Sequence, residues 1–197
     1  MHLPALPVLA PAYVGGVQLA AHTVRHHLVD DDARETFLRA CSTNVDQLEA
    51  GRWGTLLTSA VVVEEPMPLP YALLLLAVLG YAEYAYGAWW AAGVFLLGHA
   101  GATLLVYGGL RTTRADAATR SAVDVGTSYG FNTVLGALTA ALPAGPLRFA
   151  ARAGLLAVGA RPLLNRERPT FTDVGHFAAL ALGIGLGGLV PRPCRAA

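Results

Sequence analysis

Lysine is missing: every one of the fourteen cations is arginine. We read this, with the load of Ala and Gly, as compositional bias and not as mechanism. Charge of either sign is scarce, at 14% of residues, where soluble domains carry about 25%. That shortfall excludes an ordinary soluble domain and points to a membrane protein. A net charge of +1 excludes a basic face for nucleic acid. The two cysteines, Cys41 and Cys194, cannot form a disulfide framework, and neither has Cys or His partners at metal-ligand spacing. No cofactor and no metal are expected. Residues Met1 to Val24 lack a positive leader and contain Pro4, Pro7 and Pro11, so they read as a weak first span or a surface-lying segment and not as a cleaved signal.

What remains is apolar, 54% of the chain. A bilayer core of about 30 Å needs about 20 apolar residues as helix, and the chain divides into six candidate spans on that measure. They are residues Pro7–Val24, Leu69–Gly87, Trp89–Leu110, Ala122–Leu142, Pro146–Leu164 and Phe171–Val190. The third is interrupted by Gly98-His99-Ala100-Gly101, and the fifth carries Arg148, Arg152 and Arg161. Between the first two lies a polar insert, residues 25–65, with Asp30-Asp31-Asp32 near its start. It predicts a large loop with short amphipathic helices, while its apolar stretch Trp53–Val63 is too short to cross and is expected to dip into the interface. The whole, residues 1–197, is expected to be one membrane domain with its main helical core at 66–190.

Two spans begin alike, with Asp124-Val125-Gly126-Thr127-Ser128 and Asp173-Val174-Gly175-His176. An even number of crossings separates them, so the two helices run in the same direction. Ser128 is expected about six residues and His176 about five residues inside, roughly 8–10 Å below one face. Polar side chains at such depth are costly and raise a functional question. A serine hydroxyl becomes a nucleophile when a neutral imidazole takes its proton, so a Ser–His dyad is available if the helices touch. Gly126, Gly130 and Gly136 on one helix and Ala179, Gly183, Gly185 and Gly187 on the other supply small faces for close approach. Such faces also serve packing alone in unrelated membrane proteins.

Together these motifs resemble the rhomboid superfamily of intramembrane serine proteases, over nearly the whole chain. Gly126-Thr127-Ser128 keeps the Gly-x-Ser of the family's Gly-x-Ser-Gly, and Gly136 keeps its later Gly. His176, Ala179 and Gly183 repeat the spacing of the family's last helix. Glu83-Tyr84-Ala85-Tyr86-Gly87 resembles its Glu-x-x-x-Gly, and Gly51-Arg52-Trp53-Gly54-Thr55-Leu56-Leu57-Thr58 resembles the end of its first loop. The resemblance implies an all-α, six-helix membrane bundle, with Ser128 as nucleophile, His176 as base and Gly126 supporting the oxyanion site. Partners would be transmembrane segments in a lipid bilayer, and the location a bacterial cell membrane.

This chain departs from the pattern at Tyr129, where the family has Gly, which predicts crowding beside the nucleophile. It departs again where the family's second helix opens with His-x-x-x-Asn. Counting back from Glu83 puts Met67 and Tyr71 at those positions. Tyr71 can donate a hydrogen bond and Met67 cannot; losing one oxyanion donor costs about 10²–10³ in rate. His99 is a candidate substitute donor or a helix-bridging polar group.

Other polar residues have blander roles. Asp124 and Asp173 read as helix N-caps, Glu83 as a carboxylate paired or snorkelled near the interface, and His26-His27 with the Asp run as a solvated loop.

Three functions follow. They are an intramembrane serine protease, an inactive rhomboid pseudoprotease that binds transmembrane helices, and, on weaker signs, a small transporter. Orientation stays open: ten of the fourteen arginines lie on the Ser128 side, which the positive-inside rule makes cytoplasmic, whereas the resemblance implies the opposite face.

Overall fold

The computed structural model describes residues 6–27, 30–113, 115–164 and 170–189, and every regular element among them is helical. In chain order they are α1 (Leu9–His27), α2 (Asp31–Cys41), α3 (Val45–Glu49), α4 (Thr55–Thr58), α5 (Leu69–Tyr86), α6 (Ala88–Thr112), α7 (Ala117–Arg120), α8 (Ser128–Leu138), α9 (Pro146–Ala160) and α10 (Phe171–Leu186).

Local chemistry explains most boundaries. Asp30, Asn44 and Asp116 each accept a backbone N–H at the start of α2, α3 and α7, supplying the orphan donors of a first turn. Thr170 and Asp173 form a reciprocal capping box on α10. A proline near the first position starts α5 and α9. Gly87, at φ +90°, is the sole residue between α5 and α6; few side chains tolerate that conformation.

Among the described helices, α5 and α6 are long and apolar enough to cross a membrane, and α10 is apolar but shorter. At 1.5 Å per residue, the 25 residues of α6 extend about 38 Å.

The core joins Ala10, Val14 and Val17 of α1 to Leu75, Leu79 and Ala82 of α5, Val94 and Phe95 of α6, and Val134 and Ala137 of α8. Glu83 is buried in it and does not snorkel. Its carboxylate accepts the Val8 and Leu9 N–H groups at 2.8 Å and that of Ala10 at 2.9 Å. Of the two expected roles the paired one holds: α1 opens on Leu9-Ala10-Pro11-Ala12, which has no side chain able to cap it, so α5 provides the cap.

Helices α8 and α10 lie side by side and parallel. Contacts run in step from Ser128 with His176, through Tyr129 with Gly175 and Thr133 with Ala179, to Ala140 with Gly187. A Cβ added at Gly136 would stand 2.6 Å from the Leu180 carbonyl oxygen, so glycine is what allows the two backbones to meet. Helix α6 runs the other way: Phe95 meets Gly130, while Tyr107 near its end meets Asp124 and Phe171.

The fourth span is shorter than expected. Residues 122–126 are not helical, and α8 starts at Ser128 itself, so the serine is at the helix head and not about six residues inside. The cause is the insert. Ser42 Oγ accepts the Asp124 N–H at 2.7 Å, the Asp124 carbonyl accepts from Thr43, and the Ser59 carbonyl accepts the Gly126 N–H at 2.8 Å. These bonds hold the segment out of the helix. Asp124 is also not the expected N-cap; its carboxylate accepts the Tyr107 hydroxyl at 2.7 Å.

The insert forms α2, α3 and α4, with exposed Trp53 and Leu57 beside fully buried Ser59 and Ala60. His26 and His27, expected in a loop, end α1, and the His26 ring is tilted against that of His22 with centroids 4.1 Å apart. No group of three or more His, Cys, Asp or Glu suited to a metal occurs among the described residues. Cys194 lies outside them.

Candidate active site

Ser128 Oγ lies 2.8 Å from His176 Nε2, a hydrogen-bond distance at which an imidazole can take a hydroxyl proton. Both side chains are partly buried. Ser128 is the first residue of α8 and His176 the sixth of α10, so the pair joins the heads of two parallel helices. Asp173, one turn before His176, gives its carboxylate to the Thr170 N–H and hydroxyl at 2.9 and 2.7 Å. It is engaged as a cap, and Ser128 and His176 form a hydrogen-bonded pair.

The segment entering Ser128 turns at Gly126, whose φ of +151° suits glycine. Thr127 follows as N-cap residue without a side-chain capping bond. The first intrahelical acceptor is the Thr127 carbonyl, bonded by the Phe131 N–H at 3.0 Å. The opening N–H groups of α8 have no intrahelical carbonyl to meet, and they carry the positive end of the helix dipole. Uncapped donors beside a nucleophile suit a developing oxyanion.

The remaining predicted residues surround this core at a remove. Tyr71, on the first turn of α5, puts its hydroxyl 2.9 Å from Thr127 Oγ1. Met67 Sδ is 3.8 Å from the same oxygen. The two positions counted back from Glu83 thus converge on the residue before Ser128. His99 is directed elsewhere: its Nε2 is 3.0 Å from Ser59 Oγ, which is itself 2.9 Å from Thr43 Oγ1. Its ring stands 5.9 Å from that of Tyr129.

Tyr129 is buried and packs edge-on against the His176 ring, centroids 5.5 Å apart, over Gly175. A Cβ at Gly175 would collide with the tyrosine ring. The side chain expected to crowd the nucleophile is therefore a support for the imidazole.

Beyond His176 a cleft of about 220 Å³ opens between α8, α9 and α10, with Asn132, Leu135, Leu155, Val158 and Leu180 in its walls. No residue of α9 is buried, so this wall of the cleft is the one most weakly held. The sole described cysteine, Cys41, lies on α2; burial pushes its thiol above the ordinary value and makes it a poorer nucleophile at neutral pH.

Sequence reasoning missed Thr43, Ser59 and Thr127. Thr127 was within the serine motif and only its neighbours were read. Ser59 and Thr43 sit in the insert with no local signal, because their side-chain partners are 16 and 40 residues away in the chain.

A family model described as "Rhomboid-like protein" matches residues 9–195. No curated protein and no solved structure matches the chain.

Proposed function

Because the chain belongs to the family of rhomboid-like proteins, and so is a membrane protein, we propose that it is an intramembrane serine protease working through Ser128 and His176. The observation that carries this reading is the 2.8 Å contact between Ser128 Oγ and His176 Nε2 at the uncapped head of α8. On this reading the six apolar helices α1, α5, α6, α8, α9 and α10 belong to the membrane-embedded bundle.

The chemistry follows from the donor set. Ser128 Oγ attacks the scissile carbonyl carbon while His176 Nε2 takes its proton. The carbonyl oxygen becomes anionic and is held by the first N–H groups of α8. Collapse expels the amine, which takes the proton back from His176, and leaves an ester on Ser128. Water then attacks the ester with His176 again as base. A substrate is a transmembrane segment whose helix unwinds easily, since an extended strand is needed to reach a serine at a helix head. The cleft beside α9 is the approach we favour, because α9 buries none of its residues.

One observation favours a second reading, a pseudoprotease that holds transmembrane helices without cutting them. Met67 stands where the family has a side-chain oxyanion donor, and a thioether donates nothing.

Labelling of the detergent-purified protein with a fluorophosphonate separates the two. The protease reading requires covalent labelling that Ser128→Ala and His176→Ala abolish. A folded wild-type protein that stays unlabelled supports the pseudoprotease and removes the protease.

A further inference from the structure

Thr127 is 2% exposed, so its hydroxyl must be satisfied inside the protein. It does not cap α8. Its oxygen is 2.9 Å from the Tyr71 hydroxyl and 3.8 Å from Met67 Sδ. Two hydroxyls sharing one hydrogen bond leave one proton over. The phenol is the more acidic partner and the better donor, so Tyr71 donates to Thr127. The spare proton is then that of Thr127, which faces a thioether, a weak acceptor. A proton held so loosely can turn to a stronger acceptor without breaking a strong bond. Donation from Tyr71 also polarises the Thr127 O–H and improves it as a donor.

The placement suits that task. Thr127 and Ser128 are consecutive at the head of α8, the first directed to α5 and the second to α10. An acyl oxygen drawn to the opening N–H groups of α8 comes to the helix head that carries both hydroxyls.

We propose that the Thr127 hydroxyl is a catalytic oxyanion donor and that Tyr71 is its positioning residue, the pair taking the place of the side-chain donor absent at Met67. The proposal rests on the proteolytic reading of Ser128 and His176.

The test is the rate of fluorophosphonate labelling of the full-length protein in detergent. In that reaction a Ser128 Oγ–P bond forms and the P–F bond breaks; the serine proton passes to His176 and fluoride leaves. The phosphoryl oxygen occupies the oxyanion position.

Thr127→Val is expected to slow labelling by about 100-fold, with Thr127→Ser near the wild-type rate. Tyr71→Phe, which removes one oxygen and little packing, slows it less and carries the test if Thr127→Val does not fold. The pH midpoint of labelling stays in place in all three, because the base is untouched. Wild-type rates in Thr127→Val and Tyr71→Phe overturn the proposal while the dyad stands. A moved pH midpoint, or equal loss in Thr127→Ser, points to a displaced dyad and overturns it too. A wild-type protein that never labels removes the protease reading and this proposal together.

Discussion

The Thr133 carbonyl occupies the space that a side chain at Gly183 would need. Thr133 is on α8 and Gly183 on α10, and Thr133 Oγ1 also donates to the Ala179 carbonyl at 3.1 Å. This contact sets the spacing of the two helices that carry the serine and the histidine.

Gly183→Ala is therefore expected to force α8 and α10 apart, at a cost of about 1–3 kcal/mol for overpacking. Labelling of Ser128 should fall with it, since a hydrogen bond of 2.8 Å does not survive a separation of an ångström. Gly185→Ala, on the same helix but with open space around it, should label and melt like wild type. Equal behaviour of the two variants in labelling and thermal unfolding would refute the spacing argument.

Glu83→Gln should loosen α1. The carboxylate accepts three backbone N–H groups across 73 to 75 residues of chain, and an amide oxygen replaces only part of that. A loss on the order of 2 kcal/mol is expected, the scale of a hydrogen bond to a charged group. Hydrogen exchange should rise first in residues 8–14. Protection that is unchanged there would mean the cap contributes nothing.

Ser59→Ala should destabilise by about 1–3 kcal/mol, because it leaves the buried His99 and Thr43 side chains without their shared partner. The same residue's carbonyl holds Gly126, two positions before the nucleophile. The variant should consequently lose labelling rate as well as melting temperature. His99→Asn, measured beside it, should lose stability with a smaller change in rate. If Ser59→Ala lowers neither quantity, the buried network has no part in holding the serine segment.

Cys41 provides a pH-dependent outcome outside the membrane segments. Its thiol titrates above the ordinary value because burial penalises the thiolate. In a Cys194→Ser background, alkylation by iodoacetamide should be slow at neutral pH and rise with a midpoint above that of a free thiol. A midpoint at or below the free-thiol value would contradict the burial. Cys41→Ser should leave fluorophosphonate labelling unchanged.

Much of this was legible in the chain. Apolar runs located α1, α5, α6, α9 and α10 within a few residues and overran α8 at both ends, because a helix that buries or spans needs length and hydrophobicity that composition alone displays. Spacing picked out Ser128 and His176, Pro146 marked the start of α9, and Asp173, read as an N-cap, is the third residue of a capping box whose N-cap is Thr170. The start of α8 was not legible. Residues Ala122 to Gly126 are apolar enough to continue a helix backwards, yet they are not helical, because Ser42, Thr43 and Ser59 bind their backbone from the insert. Nor could the sequence tell Gly183, pressed against Thr133, from Gly185, which faces open space.

By itself, then, the sequence determined where the long apolar segments lie and which two side chains are of the types that acyl transfer needs, since both depend on local pattern and residue type. The tertiary structure decided what those side chains meet. It gave Glu83 to the head of α1, Asp124 to Tyr107, His99 to Ser59, and Thr127 to Tyr71. Each pairing satisfies a buried polar group with a partner 17 to 75 residues away, and no periodicity along the chain encodes a bond at that range.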